Sequence, residues 1–325
     1  MTTSQTPSVP PLFVGIDVAK DQLDLARSDR TDLLTVPNHK EGFRKIVATL
    51  QAQTHLGIIV VEATGGLEQP LLDALLDAQL PVARVNPGHV RHFAKALGVL
   101  AKTDAIDAKI LVEFAKVAQP RLAEKRSQNQ TELDALVTCR RQLIDVRTQE
   151  SNRQLTTASK SALNAHAAIL RALEMQIKKL DQQIAKLIDS DDDLRRRDQI
   201  LQSAPGVGIG LSSTILAELP EIGAADHREI SALAGVAPFN SDSGKRQGKR
   251  AIKGGRAGVR SVLYMATLAA IAKNPVLKPF SEKLTKAGKI FKVMMVACMR
   301  KFLTLLNTMV RDNLTWQELN VVKNA

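Results

Sequence analysis

From Leu12 to about Pro120, short apolar runs alternate with stretches whose apolar residues recur every three or four positions. The first pattern suits half-buried strands and the second amphipathic helices. Strands are therefore expected over 12–18, 22–27, 33–36, 57–62 and 82–86, with helices near 40–53, 67–78, 88–97 and 104–118. Three early strands followed by alternating helices and strands imply an α/β unit: a mixed sheet flanked by helices, with 12–18 as its central strand. Beyond it the punctuation disappears. No glycine or proline lies between Pro120 and Pro205, although the chain holds 18 Gly and 13 Pro, so a long helical segment is expected. Within it Leu163, His166, Leu170, Leu173, Ile177, Leu180, Ile184 and Leu187 alternate spacings of three and four, the seam of a coiled coil. That seam needs a partner helix, either 131–153 folded back or the same segment of another subunit. His166 reads as a packed or register-setting polar residue.

A third unit begins near Ile200, after the acidic Asp189–Asp193 and basic Arg195–Arg197 clusters. Its opening, SAPGVGIGLSSTILAEL, resembles a helix-hairpin-helix. Gly206 and Gly208 permit a tight turn whose amides meet a phosphate at a helix start, or they form a plain turn. The expected organisation is a flexible extension over 1–11, an α/β domain over 12–120, a helical coiled-coil segment over 121–199 and a mostly helical domain over 200–325.

Charge changes the picture next. With 45 Lys and Arg against 33 Asp and Glu, the formal charge is +12, which favours a polyanionic ligand, nucleic acid first. Aromatics make up only 3%, too few for broad base stacking, so backbone and shape contacts should dominate. Cys139 and Cys298 have no metal-ligand spacing, which implies a reducing compartment and no zinc site. The start MTTSQTPSVPP lacks the features of a signal peptide, and no apolar run reaches the length of a membrane span. A soluble, cytoplasmic protein is expected.

Four acids are the candidate chemistry: Asp17 in VGIDVAK, Glu62 in VVEATGG, and Asp104 and Asp107 in KTDAIDAK. The first two close apolar runs, where a lone acid is costly. The last two sit three residues apart on an expected helix. Oxygen-rich sets of this kind suit Mg²⁺, and a pair of such ions stabilises both oxygens of a phosphoryl displacement. A basic loop is the second feature. Lys245, Arg246, Lys249, Arg250, Lys253, Arg256 and Arg260 crowd a glycine-spaced stretch with one acid, Asp242, as expected of a phosphate-backbone contact. Ser243 and Ser241 stand at its entrance, equal on chemistry alone as nucleophiles. The second basic set, Lys283 to Lys301, reads as a solvated helix face.

VGIDVAK, VVEATGG, NPGHVRHFAKALGVLAKTDAIDAKILVEFA, PGVG and LAGVAPFNSDSGKRQGKRAIKGGRAGVRSVLYMA, in this order, resemble the DEDD transposases of the insertion sequence 110 family, the bridge recombinases. The likeness covers nearly the whole chain after residue 11. It implies a RuvC-like, RNase H-type fold with Asp17, Glu62, Asp104 and Asp107 binding Mg²⁺. It implies a C-terminal transposase domain in which Ser243 attacks DNA to form a phosphoserine link and free a 3′ hydroxyl. It further implies donor and target DNA as substrates, a structured noncoding bridge RNA that supplies sequence choice by pairing, and a homo-oligomer, a tetramer built as a dimer of dimers with composite active sites. The setting would be bacterial, at the nucleoid when acting.

Three other readings compete. A junction-resolving nuclease would use water and leave Ser243 structural. A sugar-kinase or actin-like ATPase would use the ATGG turn for phosphates, yet it explains neither the basic loop nor Asp107. A non-catalytic scaffold would bind nucleic acid unchanged after Asp17→Asn.

Overall fold

The structure is a computed structural model that describes residues 10–99, 104–240, 242, 248 and 250–319. Two compact units divide the chain, the first running to Arg126 and the second from Ser127.

In the first unit, β1 (Leu12–Val18) lies at the centre of a five-stranded sheet. It pairs antiparallel with β2 (Gln22–Arg27), which pairs antiparallel with β3 (Leu34–Pro37). On its other side it runs parallel to β4 (Leu56–Glu62), which is parallel to β5 (Val82–Val85). The order is β3-β2-β1-β4-β5. Helices α1 (Lys40–Gln51), α2 (Gln69–Asp77), α3 (Pro87–Ala96) and α4 (Asp104–Ala118) complete the unit. The expected last strand stops at Val85 rather than Asn86, because the Asn86 side chain caps α3 by accepting the Gly88 N–H at 2.7 Å.

Side chains alternate between the two faces of the sheet. Val14, Ile16, Leu23, Leu25, Ile59 and Val61 join Ile46, Leu50, Leu71 and Leu75 of α1 and α2 in one core. The intervening positions face α4: Val60 packs with Leu111 and Phe114, and Ala26 with Ala108 and Val112. Gly15 makes this approach possible. A methyl group there would lie 2.6 Å from the Leu111 Cβ and 2.7 Å from the Val112 nitrogen, so α4 rests directly on the backbone of β1.

The second unit opens with α5 (Gln128–Thr156) and α6 (Lys160–Asp189), antiparallel and joined by three residues. α5 is therefore the partner of the α6 seam within the same chain. Ile177 and Ile184 are buried, while Leu163, Leu170 and Leu173 nearer the tip are half-buried. Polar contacts set the register. Arg140 pairs with Asp181, and near the tip the buried Glu150 meets the His166 Nδ1 at 2.6 Å, with the Thr157 hydroxyl 3.2 Å from Nε2. The hydrogen bonds from His166 and Arg153 hold the Glu150 carboxyl below its ordinary range.

Helix α7 (Asp192–Gln202), capped by Asp191, α8 (Ile209–Glu218) and α9 (His227–Leu233) follow. A short hairpin, β6 (Pro238–Phe239) with β7 (Ala251–Ile252), precedes α10 (Ala257–Lys273), α11 (Leu277–Lys286) and α12 (Phe291–Arg311). By length and composition α12 is apolar enough to cross a bilayer, unlike anything read from the sequence. Its Met299, Phe302, Leu303 and Leu306 instead fill the core of this unit beside Ile215, Leu216 and Leu263.

Candidate catalytic and nucleic-acid-binding sites

The four acids belong to the first unit. The register of the parallel pair β1 and β4 ends at Ile16 opposite Val61, so Asp17 and Glu62 come next on neighbouring strands. Asp17 shares the face of Gly15, and Glu62 that of Val60, so both lie on the side covered by α4. Gly15 rests against Ala108, Leu111 and Val112, and Asp107 immediately precedes Ala108 on α4. Asp17, Glu62 and Asp107 are each half-buried. The side chain of Asp104 lies outside the described residues. Among the described residues no three Asp, Glu, His or Cys side chains converge closely enough to hold an ion. The all-oxygen donors on one covered face fit a hard cation by their chemistry.

Two acids that sequence reasoning passed over shape this region. Asp24 stands directly opposite Asp17 across the β1–β2 ladder. It is 5% exposed and accepts from the Thr35 hydroxyl at 2.5 Å and the Gln22 amide at 2.8 Å. The signal was present, since Asp24 interrupts an apolar run (QLDLAR) just as Asp17 does. Glu68, only 2% exposed, accepts from the Thr64 and Gly66 N–H groups at 3.0 and 2.9 Å, and Arg84 approaches it at 3.4 Å. The amides of the ATGG turn thus hold a carboxylate of their own chain. This removes the feature that favoured phosphate binding there, and with it the ATPase reading. The same contact fixes the loop leaving Glu62.

In the second unit, the β6–β7 hairpin carries the basic loop. Asp242 draws its ends together by accepting from the Gly248 N–H at 3.0 Å and the Arg250 guanidinium at 2.6 Å. The Arg250 hydrogen bond holds the Asp242 carboxyl below its ordinary range. Ser241, Ser243, Lys245, Arg246 and Lys249 lie outside the described residues.

At the base of the loop, Arg256 and Arg260, both expected phosphate contacts, also bind groups of their own chain. Arg256 makes a bidentate pair with Glu221 of the turn after α8, at 2.5 and 2.6 Å. Arg260 donates to the Gly254 carbonyl at 2.6 Å. A side chain on Gly255 would strike the Gly235 backbone, so this glycine permits two chain segments to touch. Lys253 is exposed. Beneath the first turn of α10, Arg141 pairs with Glu218, whose carboxyl burial pushes up. A side chain on Gly258 would strike both partners of that pair.

The helical hairpin α7–α8 separates its two glycines. Gly206 has φ +102°, and a methyl group there would lie 2.5 Å from the Ala270 Cβ of α10. Gly208 is the N-cap of α8, with φ −115° and no neighbour where its Cβ would stand. Gly206 serves close packing, while Gly208 leaves the start of α8 open.

An α/β unit with acids on the covered face of its sheet, followed by a basic helical unit, suits an enzyme that acts on nucleic acid. Comparison with known proteins agrees. A family profile described as "Transposase", of the DEDD type of insertion sequence 110, matches residues 14–159, and one described as "Transposase IS116/IS110/IS902 family" matches 198–282. The chain belongs to this transposase family and is a DNA recombinase. It is 29% identical to the pilin gene-inverting protein of Moraxella bovis over 93% of this chain and 96% of that protein. The same figures hold for its counterpart in Moraxella lacunata. The transposase for insertion sequence element IS1111A of Coxiella burnetii is 23% identical over 72% of this chain and 71% of that protein.

Proposed function

We propose that this enzyme is an RNA-guided, Mg²⁺-dependent recombinase that cuts and rejoins DNA through a phosphoserine link at Ser243. The observation that carries the reading is the placement of Asp17 and Glu62 side by side on the face covered by α4, the helix that begins at Asp104 and carries Asp107. The sheet order β3-β2-β1-β4-β5 with β2 antiparallel supports a RuvC-like domain over 12–120. In this reading 121–199 is the coiled-coil segment and 200–325 the transposase domain.

Asp17, Glu62, Asp104 and Asp107 would hold Mg²⁺, which supplies charge stabilisation for phosphoryl transfer. The chain's own part begins with the Ser243 hydroxyl. Its oxygen forms a bond to phosphorus, the bond from phosphorus to the 3′ oxygen breaks, and a proton ends on the released 3′ hydroxyl. Attack of a 3′ hydroxyl on the phosphoserine reverses these changes and frees the serine, so no external energy source is needed. Asp242 and Arg250 support this assignment by drawing together the ends of the loop that bears Ser243.

The substrates are donor and target DNA, and a bridge RNA supplies the sequence choice. The charge of +12 and the scarcity of aromatics suit a protein that holds backbones and leaves base recognition to pairing. The pilin gene-inverting relatives support conservative exchange of DNA segments. A tetramer, as a dimer of dimers, would combine acids and serine from different subunits. The test is Asp104→Asn with Asp107→Asn, read by Mn²⁺ calorimetry and by strand exchange. Loss of both with RNA binding intact is expected, and intact exchange would remove the four-acid site.

A further inference from the structure

The turn between α11 and α12 lies outside the residues that either family profile matches. From Lys283 to Arg311 the chain contains Lys283, Lys286, Lys289, Lys292, Arg300, Lys301 and Arg311 and no Asp or Glu. Among the described residues, Lys286, Lys289 and Lys292 form no salt bridge. Everything from Thr285 to Val293 is exposed. Set among these lysines are large apolar side chains: Ile290 is 68% exposed, Phe291 53% and Val293 48%.

The tip is held firmly. Gly288, at φ +72°, reverses the chain, and the Lys289 N–H returns to the Leu284 carbonyl at 3.1 Å. Behind it Met294, Met295 and Cys298 pack against Leu268, Ile271, Phe280 and Leu284 of the two neighbouring helices. Three large apolar side chains are thus presented to water on a packed base, an arrangement that favours a partner able to bury them. A protein partner fits poorly, because lysine is depleted from the cores of protein interfaces. Duplex DNA fits well. Cations contact phosphates along the groove while an apolar wedge enters the minor groove at a base step.

We propose that this turn is a duplex-DNA contact, with Lys286, Lys289 and Lys292 on backbone phosphates and Ile290 and Phe291 entering the minor groove. It rests on the family's action on DNA and is independent of Ser243 and of guidance by RNA.

The test uses the full chain and a 30-bp duplex containing 2-aminopurine, titrated across a range of salt concentrations. Lys286→Ala/Lys289→Ala/Lys292→Ala should lower the magnitude of the slope of log K against log salt by about 2.7, at about 0.9 per phosphate contact. Ile290→Ala/Phe291→Ala should leave that slope unchanged, weaken binding at least about a hundredfold, at about 1.5 kcal/mol or more for each of the two buried side chains, and abolish the rise in 2-aminopurine fluorescence. All five positions are exposed, so both variants should melt with the wild type. An unchanged slope and affinity in both variants would overturn the proposal. So would a loss confined to duplex RNA, or a change in molecular mass with DNA affinity intact, which would assign the turn to RNA or to a second copy of the chain.

Discussion

Gly206→Ala and Gly208→Ala make the same chemical change two residues apart, and the structure assigns them different outcomes. At Gly206 an L side chain must adopt φ +102°, which costs about 1 to 3 kcal/mol. It must also displace the Ala270 methyl group, whose Cβ lies 2.5 Å from the new carbon, and such overpacking costs about 1 to 3 kcal/mol more. A combined loss of about 4 kcal/mol in a unit of this size lowers its melting temperature by about 8 to 16 °C. At Gly208 the backbone is extended and the space is open, so the loss stays under about 1 kcal/mol, the cost of a poorer N-cap. Differential scanning calorimetry of both variants measures the contrast. Adding Ala270→Gly to Gly206→Ala should recover part of the overpacking, since the Ala270 Cα would still lie 2.9 Å from the new carbon, read as a favourable coupling of about 1 kcal/mol or more in the double-mutant cycle. Equal melting temperatures for the two single variants, or no coupling with position 270, would refute the packing role of Gly206.

Other consequences can be checked by simple means. Glu68→Ala strips two backbone amides of a buried carboxylate and should lower the stability of the first unit by about 3 kcal/mol, measured as a shift of the urea midpoint. Glu221→Ala should leave Arg256 without its bidentate partner and cost about 2 kcal/mol. The loss is read as a shift of the urea midpoint, and an unchanged midpoint would contradict the anchoring role of the pair. The Glu150 carboxyl is held low by His166 and Arg153, so its contribution is fully present above the ordinary carboxylate value. It is lost as pH falls through the lower folded value. The wild-type melting temperature should therefore drop more steeply than that of Glu150→Gln below about pH 4.5, and parallel curves would contradict the contribution of the Glu150 hydrogen bonds.

The alternation of side chains made much of the first unit legible. The apolar run over 12–18 marked the central strand that carries Asp17, and the parallel register of the fold sets Glu62 beside it. The long seam of α6 was legible as well, but periodicity records only that a helix needs a partner, and the fold supplies α5 of the same chain. The roles of Gly206, Arg256 and Arg260 were hidden for a common reason. A glycine before a helix or an arginine in a basic loop looks the same in sequence whether it meets a phosphate, Ala270 or Glu221. Tertiary contact alone separates these roles. Glu68 was hidden because its partners are backbone amides, which leave no compositional trace. Asp24 was open to the same argument that singled out Asp17, a carboxylate within an apolar strand.

The most direct test of the proposed chemistry is a denaturing gel of the protein incubated with Mg²⁺, the RNA encoded beside its gene and labelled donor and target DNA. Wild type, Ser243→Ala and Ser241→Ala are run side by side. Label that stays with the protein through denaturation in wild type and Ser241→Ala, and is absent in Ser243→Ala, is the predicted result. Cleaved DNA with no protein-bound label in any lane would contradict it and identify water as the nucleophile.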